Sequence, residues 1–434
     1  MRRQNVVRLI ALAGALLLLG VSCYLNPESE TDDGSITVEM GLITAQAGVS
    51  GETARLYLLA EQGASQGLYP LDGGEQFVEV DTEDTITIEG VAPGSGYRVL
   101  ISFGSAGDGF FEVTEYAESD PFEVKSGTAS DVSVDVSDGP FIYPSGDAED
   151  LNGKDLGGVV FNNDEVFVAD EDTLYRVVPD LGSRAAAPQT VPASVNTVSR
   201  GGANPVLVNT DEGIFYPDGA GGFEQSGYQD PVTLSAQFDE DVIFQGPGVI
   251  GATGNIANPV SEWAAIDVGE VVSGSPIRSY AVRGGNSAVV TAFGAFRAET
   301  GAFETLGEES TWDDIQAKVG FFDSDVPAKI ISVGYNAGGT LYVGTDSGIY
   351  RGLPDGSFEG PVFDSAGSII TQVASGSGDR QAFLGPYYLY VWNAAEETLA
   401  RYPFVAGLPG NPTDITFGGD RLYITGDEGL VALE

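Results

Sequence analysis

The sequence predicts an all-β protein, a small β-sandwich followed by a seven-bladed β-propeller. Three observations carry this expectation. Long helical patterns are nearly missing, while Val, Thr, Tyr and Phe are plentiful. Gly 60 and Pro 22 in 434 residues give the punctuation of a chain made of short strands and tight turns. A strand–turn–strand pattern also returns at intervals near 40 residues through the carboxyl-terminal part.

The amino terminus comes first. Residues 2–8, RRQNVVR, are basic, Leu9 to Gly20 are apolar, and Val21-Ser22 precede Cys23, the single cysteine. A basic flank, an apolar middle and a small residue before the cut form a secretory signal. The cysteine directly after it resembles the lipobox of bacterial lipoproteins, although Gly20 stands where leucine is usual. That resemblance implies a signal peptide at 1–22 and a mature chain beginning at Cys23. The thiol would carry diacylglycerol and the new amino terminus a further acyl chain such as palmitate. It also implies the cell envelope as location, at the outer membrane or the outer face of the inner membrane. Several acyl chains hold a protein to a bilayer where one is marginal. Two alternatives stay open. Leu9–Leu25 could remain as an anchor helix of 17 residues, or an ordinary peptidase could release the chain. Without a second cysteine there is no disulfide for an oxidising compartment to form. Residues 23–36, polar, acidic and bearing Pro and Gly, read as a flexible tether.

Residues 37–137 hold seven or eight short alternating or apolar runs, among them ARLYLLAE, TITIEGV, YRVLISF and FFEVTEYA. Turn clusters such as DGGE and APGSG separate them, as in a β-sandwich. IEGVAPGSGYRVLISF followed by FEVKSGTASDVSVDV resembles the prealbumin-like or Ig-like modules of exported bacterial proteins. Tyr97 reads as a core or corner tyrosine, and the unit as a spacer.

Residues 138–434 carry the repeats. VFVADEDTLYRV, VLVNTDEGIFYP, LYVGTDSGIYRG and LYITGDEGLVAL are related, and three weaker copies lie at 242–253, 288–299 and 381–392. The first apolar position after each turn is Leu174, Ile214, Val249, Ala295, Ile349, Leu389 and Leu430. Their spacings are 40, 35, 46, 54, 40 and 41 residues, the period of propeller blades with four strands each. The last copy ends after its third strand. PFIYP, residues 140–144, stands alone before the first blade and is expected to supply the missing strand and close the ring. The stronger copies resemble the two-component-regulator type of propeller repeat. The 54-residue interval holds ESTWDDIQAKVGFF, where Thr311 and Asp314 suggest the N-cap of a short inserted helix. Trp312 on that insertion reads as covering a blade edge, with ligand contact as the alternative. GPYYLYVWN reads as aromatic filling between blades.

Composition excludes much chemistry. The formal net charge of −45, with 64 acidic against 19 basic residues, repels nucleic acid, so none is expected as a partner. An acidic surface so poor in lysine resembles that of proteins from salt-rich or alkaline habitats; ordinary solubility is the plainer reading. With no histidine, Ser-His-Asp and Cys-His catalysis, histidine-held zinc and histidine pH switching all fall away. No metal site or cofactor is expected. Asp211, Asp346 and Asp427 recur at the hairpin turns and read as structural turn residues, beside glycines that permit positive φ. DAEDLNGKD, residues 147–155, fails as a calcium loop because Ala148 stands at the first ligand position. Sialidase-type Asp boxes are missing in full form. The expectation is therefore a membrane-anchored lipoprotein whose propeller is a non-catalytic binding scaffold for a protein or glycan. The alternative is a carbohydrate-active enzyme using Asp/Glu pairs.

Overall fold

The structure is a computed structural model. It describes residues 33–40, 53–62, 65–71, 74–80, 85–106, 110–142, 151, 153–162, 165–170, 173–177, 186–200, 206–218, 222–238, 241–246, 249–253, 264–265, 277–283, 286–291, 294–299, 312–319, 321–323 and 326–434. Cys23 and its leader, Thr311, and most of the 147–155 segment lie outside these residues. Among the described residues no helix is long and apolar enough to cross a membrane.

Two sheets form the first unit. The smaller has the order Thr85–Val91, Gly34–Glu39, Ala129–Asp131. The larger runs Val134–Asp138, Phe111–Ser119, Gly94–Ala106, Thr53–Gln62, Ser65–Leu68, with two short strands added at Phe77–Val80 and Phe122–Val124. Alternate residues of both sheets, such as Ile36, Val38, Leu56, Leu58, Val99 and Ile101, enclose one core. Tyr97 sits in it, and its hydroxyl donates to the Ala92 carbonyl at 2.8 Å, a corner tyrosine. The first strand begins at Gly34, inside the stretch expected as tether.

The remaining chain forms seven four-stranded antiparallel sheets among the described residues, here sheets I to VII. Their first strands are Leu156–Asn162, Val195–Arg200, Leu234–Phe238, Ile277–Arg283, Ile330–Tyr335, Gln372–Ser375 and Pro412–Gly418. These strands lie next to one another in order, I beside II through to VII, and VII returns to I. Each expected anchor falls at the first or second residue of a third strand, from Leu174 in Thr173–Val177 to Leu430 in Gly429–Leu433. Sheet VII has three carboxyl-terminal strands and takes its fourth from Phe141–Ile142, with Phe141 opposite Leu433 and Ile142 opposite Ala432.

One local expectation changes. Trp312–Asp314 is the fourth strand of sheet IV, paired with Ala295–Glu299, and not part of a helix. The 3-10 turn starts later, at Gln316–Lys318, and the Asp314 carboxylate accepts from the Gln316 amide at 2.9 Å. The preceding strand offers a pairing edge that Trp312–Asp314 takes, and the Asp314 carboxylate meets the Gln316 and Ala317 amides of the turn that follows.

Candidate functional site

The hairpin aspartates occupy corresponding places in their own sheets. Asp211, Asp346 and Asp427 accept from the backbone amides of Ser194, Lys329 and Asn411 at 3.1, 2.9 and 2.8 Å. Those amides belong to residues that enter the first strand of the same sheet, so each carboxylate ties a hairpin turn to a strand entry. The turn itself is held by threonine: Thr210 and Thr345 hydroxyls donate to the Gly213 and Gly348 carbonyls and accept from the Glu212 and Ser347 amides. Gly213, at φ 120°, leaves no room for a side chain, since a Cβ there would lie 2.0 Å from the Tyr228 oxygen. The aspartates are thus distributed one per sheet. No group of three or more metal-ligating side chains occurs among the described residues.

A second set of polar side chains joins sheet to sheet along the inner strands. Asn196 donates to the Val232 carbonyl at 3.0 Å, Tyr280 to Ser235 at 2.8 Å, and Gln372 to Thr413 at 3.2 Å. Thr413 donates to Leu156, and Asp414 accepts from the Val159 amide at 3.0 Å, so sheet VII is fastened to sheet I at the closure. Asn209, fully buried, has its amide hydrogens on Thr197 and Ser199 and its oxygen on Ser235. Sequence reasoning missed this belt, because single Asn, Gln and Thr residues in strands carry no pattern.

Burial pushes the Asp414 carboxyl up to about 6, against the pull of the Val159 and Ile415 amides. A carboxyl raised in the folded state contributes stability fully below its unfolded value of about 4 and loses it as pH rises through about 6. Asp414→Asn removes that titration. Its stability relative to the parent, read from urea unfolding, is expected to be greater at about pH 8 than at about pH 5, by roughly 2 kcal/mol at most. A pH-independent difference between the two proteins would contradict this.

The first unit rests on sheets V to VII. Leu59 and Leu100, buried on the outer face of the larger sheet, share a core with Tyr342, Ile349, Phe383, Tyr388 and Tyr390. Glu118 pins the seam: it accepts from Arg98 at 3.2 Å, Arg401 at 2.9 Å and the Tyr388 hydroxyl at 3.0 Å. Arg401 also stacks on the Tyr388 ring at 4.8 Å. The aromatic run GPYYLYVWN therefore serves two purposes. Leu389 packs towards sheet VII, while Tyr388 and Tyr390 face the seam.

Beside this contact lies a cavity of about 280 Å³. The first unit contributes Arg55, Tyr57, Gln76, Phe77 and Ser102 to it, and the ring contributes Tyr387, Phe404, Asn411, Asp427 and Glu428. Tyr57 meets the Phe404 ring edge-on at 4.9 Å and Phe77 at 5.4 Å. Burial and the neighbouring Asp427 raise the Glu428 carboxyl above its usual range, opposed by Arg55 and the Gly410 amide. Such a chamber, part aromatic and part charged, can hold a small polar group.

No protein-family model matches the chain, and no curated protein is similar to it. Solved structures are. A catalytically inactive variant of virginiamycin B lyase from Staphylococcus aureus with quinupristin has a TM-score of 0.50 at 11% identity, over 65% of this chain and 95% of that one. The extracellular domain of BT4673 from B. thetaiotaomicron scores 0.49 at 15% identity, over 68% of this chain and 39% of that chain. YCF48 from Cyanidioschyzon merolae scores 0.47 at 14% identity, over 65% and 95%. At these identities likeness concerns architecture alone; the ring of four-stranded sheets, with the likeness at a TM-score of 0.50, makes the fold of this all-β chain propeller-type.

Proposed function

We propose that the chain is an extracytoplasmic bacterial lipoprotein, held to a membrane through Cys23. In this reading a prealbumin-like or Ig-like sandwich is docked on a seven-bladed propeller that binds a protein or glycan without transforming it. The seam cavity carries the reading. Hydrolysis of a glycoside by the common routes needs two carboxyl groups, about 5–5.5 Å or about 6.5–9.5 Å apart. Among the described residues the cavity's acids are Asp427 and Glu428, and both oxygens of Asp427 accept from Asn411, at 2.8 and 2.6 Å. One carboxylate remains, which suits recognition better than acid–base work. The seven sheets, joined in a cycle, support the blade count, and the leader supports the anchor.

Two measurements test this reading. Cells fed labelled palmitate are expected to label the parent chain and not Cys23→Ser, which should leave the membrane fraction. Labelling that persists in Cys23→Ser contradicts the anchor. Glycan turnover abolished by Glu428→Gln would contradict the non-catalytic assignment and favour the carbohydrate-active alternative.

A further inference from the structure

Among the described residues, one cation and two acids line the seam cavity, and their engagement is unequal. The Arg55 guanidinium lies between the Phe77 and Phe111 rings, at 4.8 and 4.2 Å, and faces Glu79 at 3.4 Å. Asp427 is committed to Asn411. Burial and Asp427 oppose the Glu428 charge, while Arg55 and the Gly410 amide support it, and Arg55 is shared with Glu79. A carboxylate in that position gains most from an arriving cation. The half-buried rings of Tyr57, from the first unit, and Tyr387 and Phe404, from the ring of sheets, line the same cavity and can take the stem and face of a cationic side chain. The formal net charge of −45 draws cations towards the surface. A space of about 280 Å³ admits one long side chain and not a folded element.

We propose that the seam cavity receives a basic side chain, arginine or lysine, presented by a protein or peptide partner, with its charged head on Glu428 and its stem against Tyr57, Tyr387 and Phe404. This rests on the scaffold reading above and names its ligand chemistry. A neutral sugar could use the same rings but would add nothing to the support that Arg55 and the Gly410 amide give the Glu428 charge.

The test titrates the detergent-solubilised full chain with acetyl-Gly-Arg-Gly-amide, its lysine and glutamine counterparts, and chitotriose and cellotriose. The arginine and lysine peptides are expected to bind about tenfold more tightly than the glutamine peptide. Glu428→Gln should remove that preference, and raising salt from about 50 to about 500 mM should weaken it several-fold. Tyr387→Leu should weaken both basic peptides several-fold, and melting curves matching the parent show that either variant is folded. Equal binding of the arginine and glutamine peptides, an unchanged preference in Glu428→Gln, or no peptide binding overturns the proposal. Sugar binding lost in Tyr387→Leu, without peptide binding, overturns the basic-side-chain inference and leaves the scaffold reading standing. Cleavage of either sugar overturns the scaffold reading itself.

Discussion

Glu118→Ala is expected to destabilise the protein by about 3 kcal/mol, read from urea unfolding. The carboxylate is 16% exposed, and its partners Arg98 and Arg401 are 13% and 33% exposed. Removing it takes the Glu118 counter-charge from two guanidinium groups and an acceptor from the Tyr388 hydroxyl in a half-dry seam. That penalty, more than the lost attraction, sets the magnitude. Glu118→Gln keeps an acceptor and loses the charge, so about half the effect is expected. Because the seam joins two cores, the loss should fall on both units together. Hydrogen exchange is expected to speed up in Gly94–Ala106 and in Tyr388–Asn393 at once. A loss below about 0.5 kcal/mol, the range of exposed pairs, would show that the two units do not depend on this contact.

Phe141→Ala is expected to cost about 3–5 kcal/mol. The ring is 5% exposed and packs against Tyr402, 5.8 Å between centroids, in the core that holds Leu422, Ile424, Val431 and Leu433. The loss combines a cavity with a weakened closing strand. Phe141–Ile142 covers the edge of Gly429–Leu433, and an uncovered edge invites pairing between molecules. Unfolding of Phe141→Ala should therefore begin in sheet VII and depend on protein concentration, as light scattering during a thermal melt can show. Ile142→Ala, at a half-buried position, should cost less than half as much.

The ring was legible because its signals are local and repeated. An apolar residue just after a tight turn must face inward wherever the hairpin occurs, so Leu174, Ile214, Ile349, Leu389 and Leu430 could be found without any tertiary information. Closure was legible from a missing strand at one end and a spare one at the other. The docked position of the first unit was not read, although a signal existed. In LYLLA and YRVLISF the apolar residues do not alternate; Leu58 and Leu59 are consecutive, as are Val99, Leu100 and Ile101, and all are fully buried. Strands buried on both faces mark a sheet that is covered on both sides, as this one is. Glu118 and Glu428 gave no such signal. Among 64 acids, the two that matter are distinguished by partners 270 or more residues away or by a wall from another unit. Asp211, Asp346 and Asp427 accept from the amides at the strand entry, and Asp346 also from the Ser347 hydroxyl in its own turn.

The closed ring is what places the seam, the cavity and the scaffold reading together, and a cross-link tests it directly. Ile142 and Ala432 are cross-strand partners, so cysteines there should lie about 4.5–5.5 Å apart at Cβ. In a Cys23→Ser background no other thiol is present. Ile142→Cys with Ala432→Cys is expected to form an intramolecular disulfide on mild oxidation, seen as a mobility shift on a non-reducing gel and a raised melting temperature. Two thiols that both stay open to alkylation in the folded chain, with no such bond formed, would contradict the closure and the account built on it.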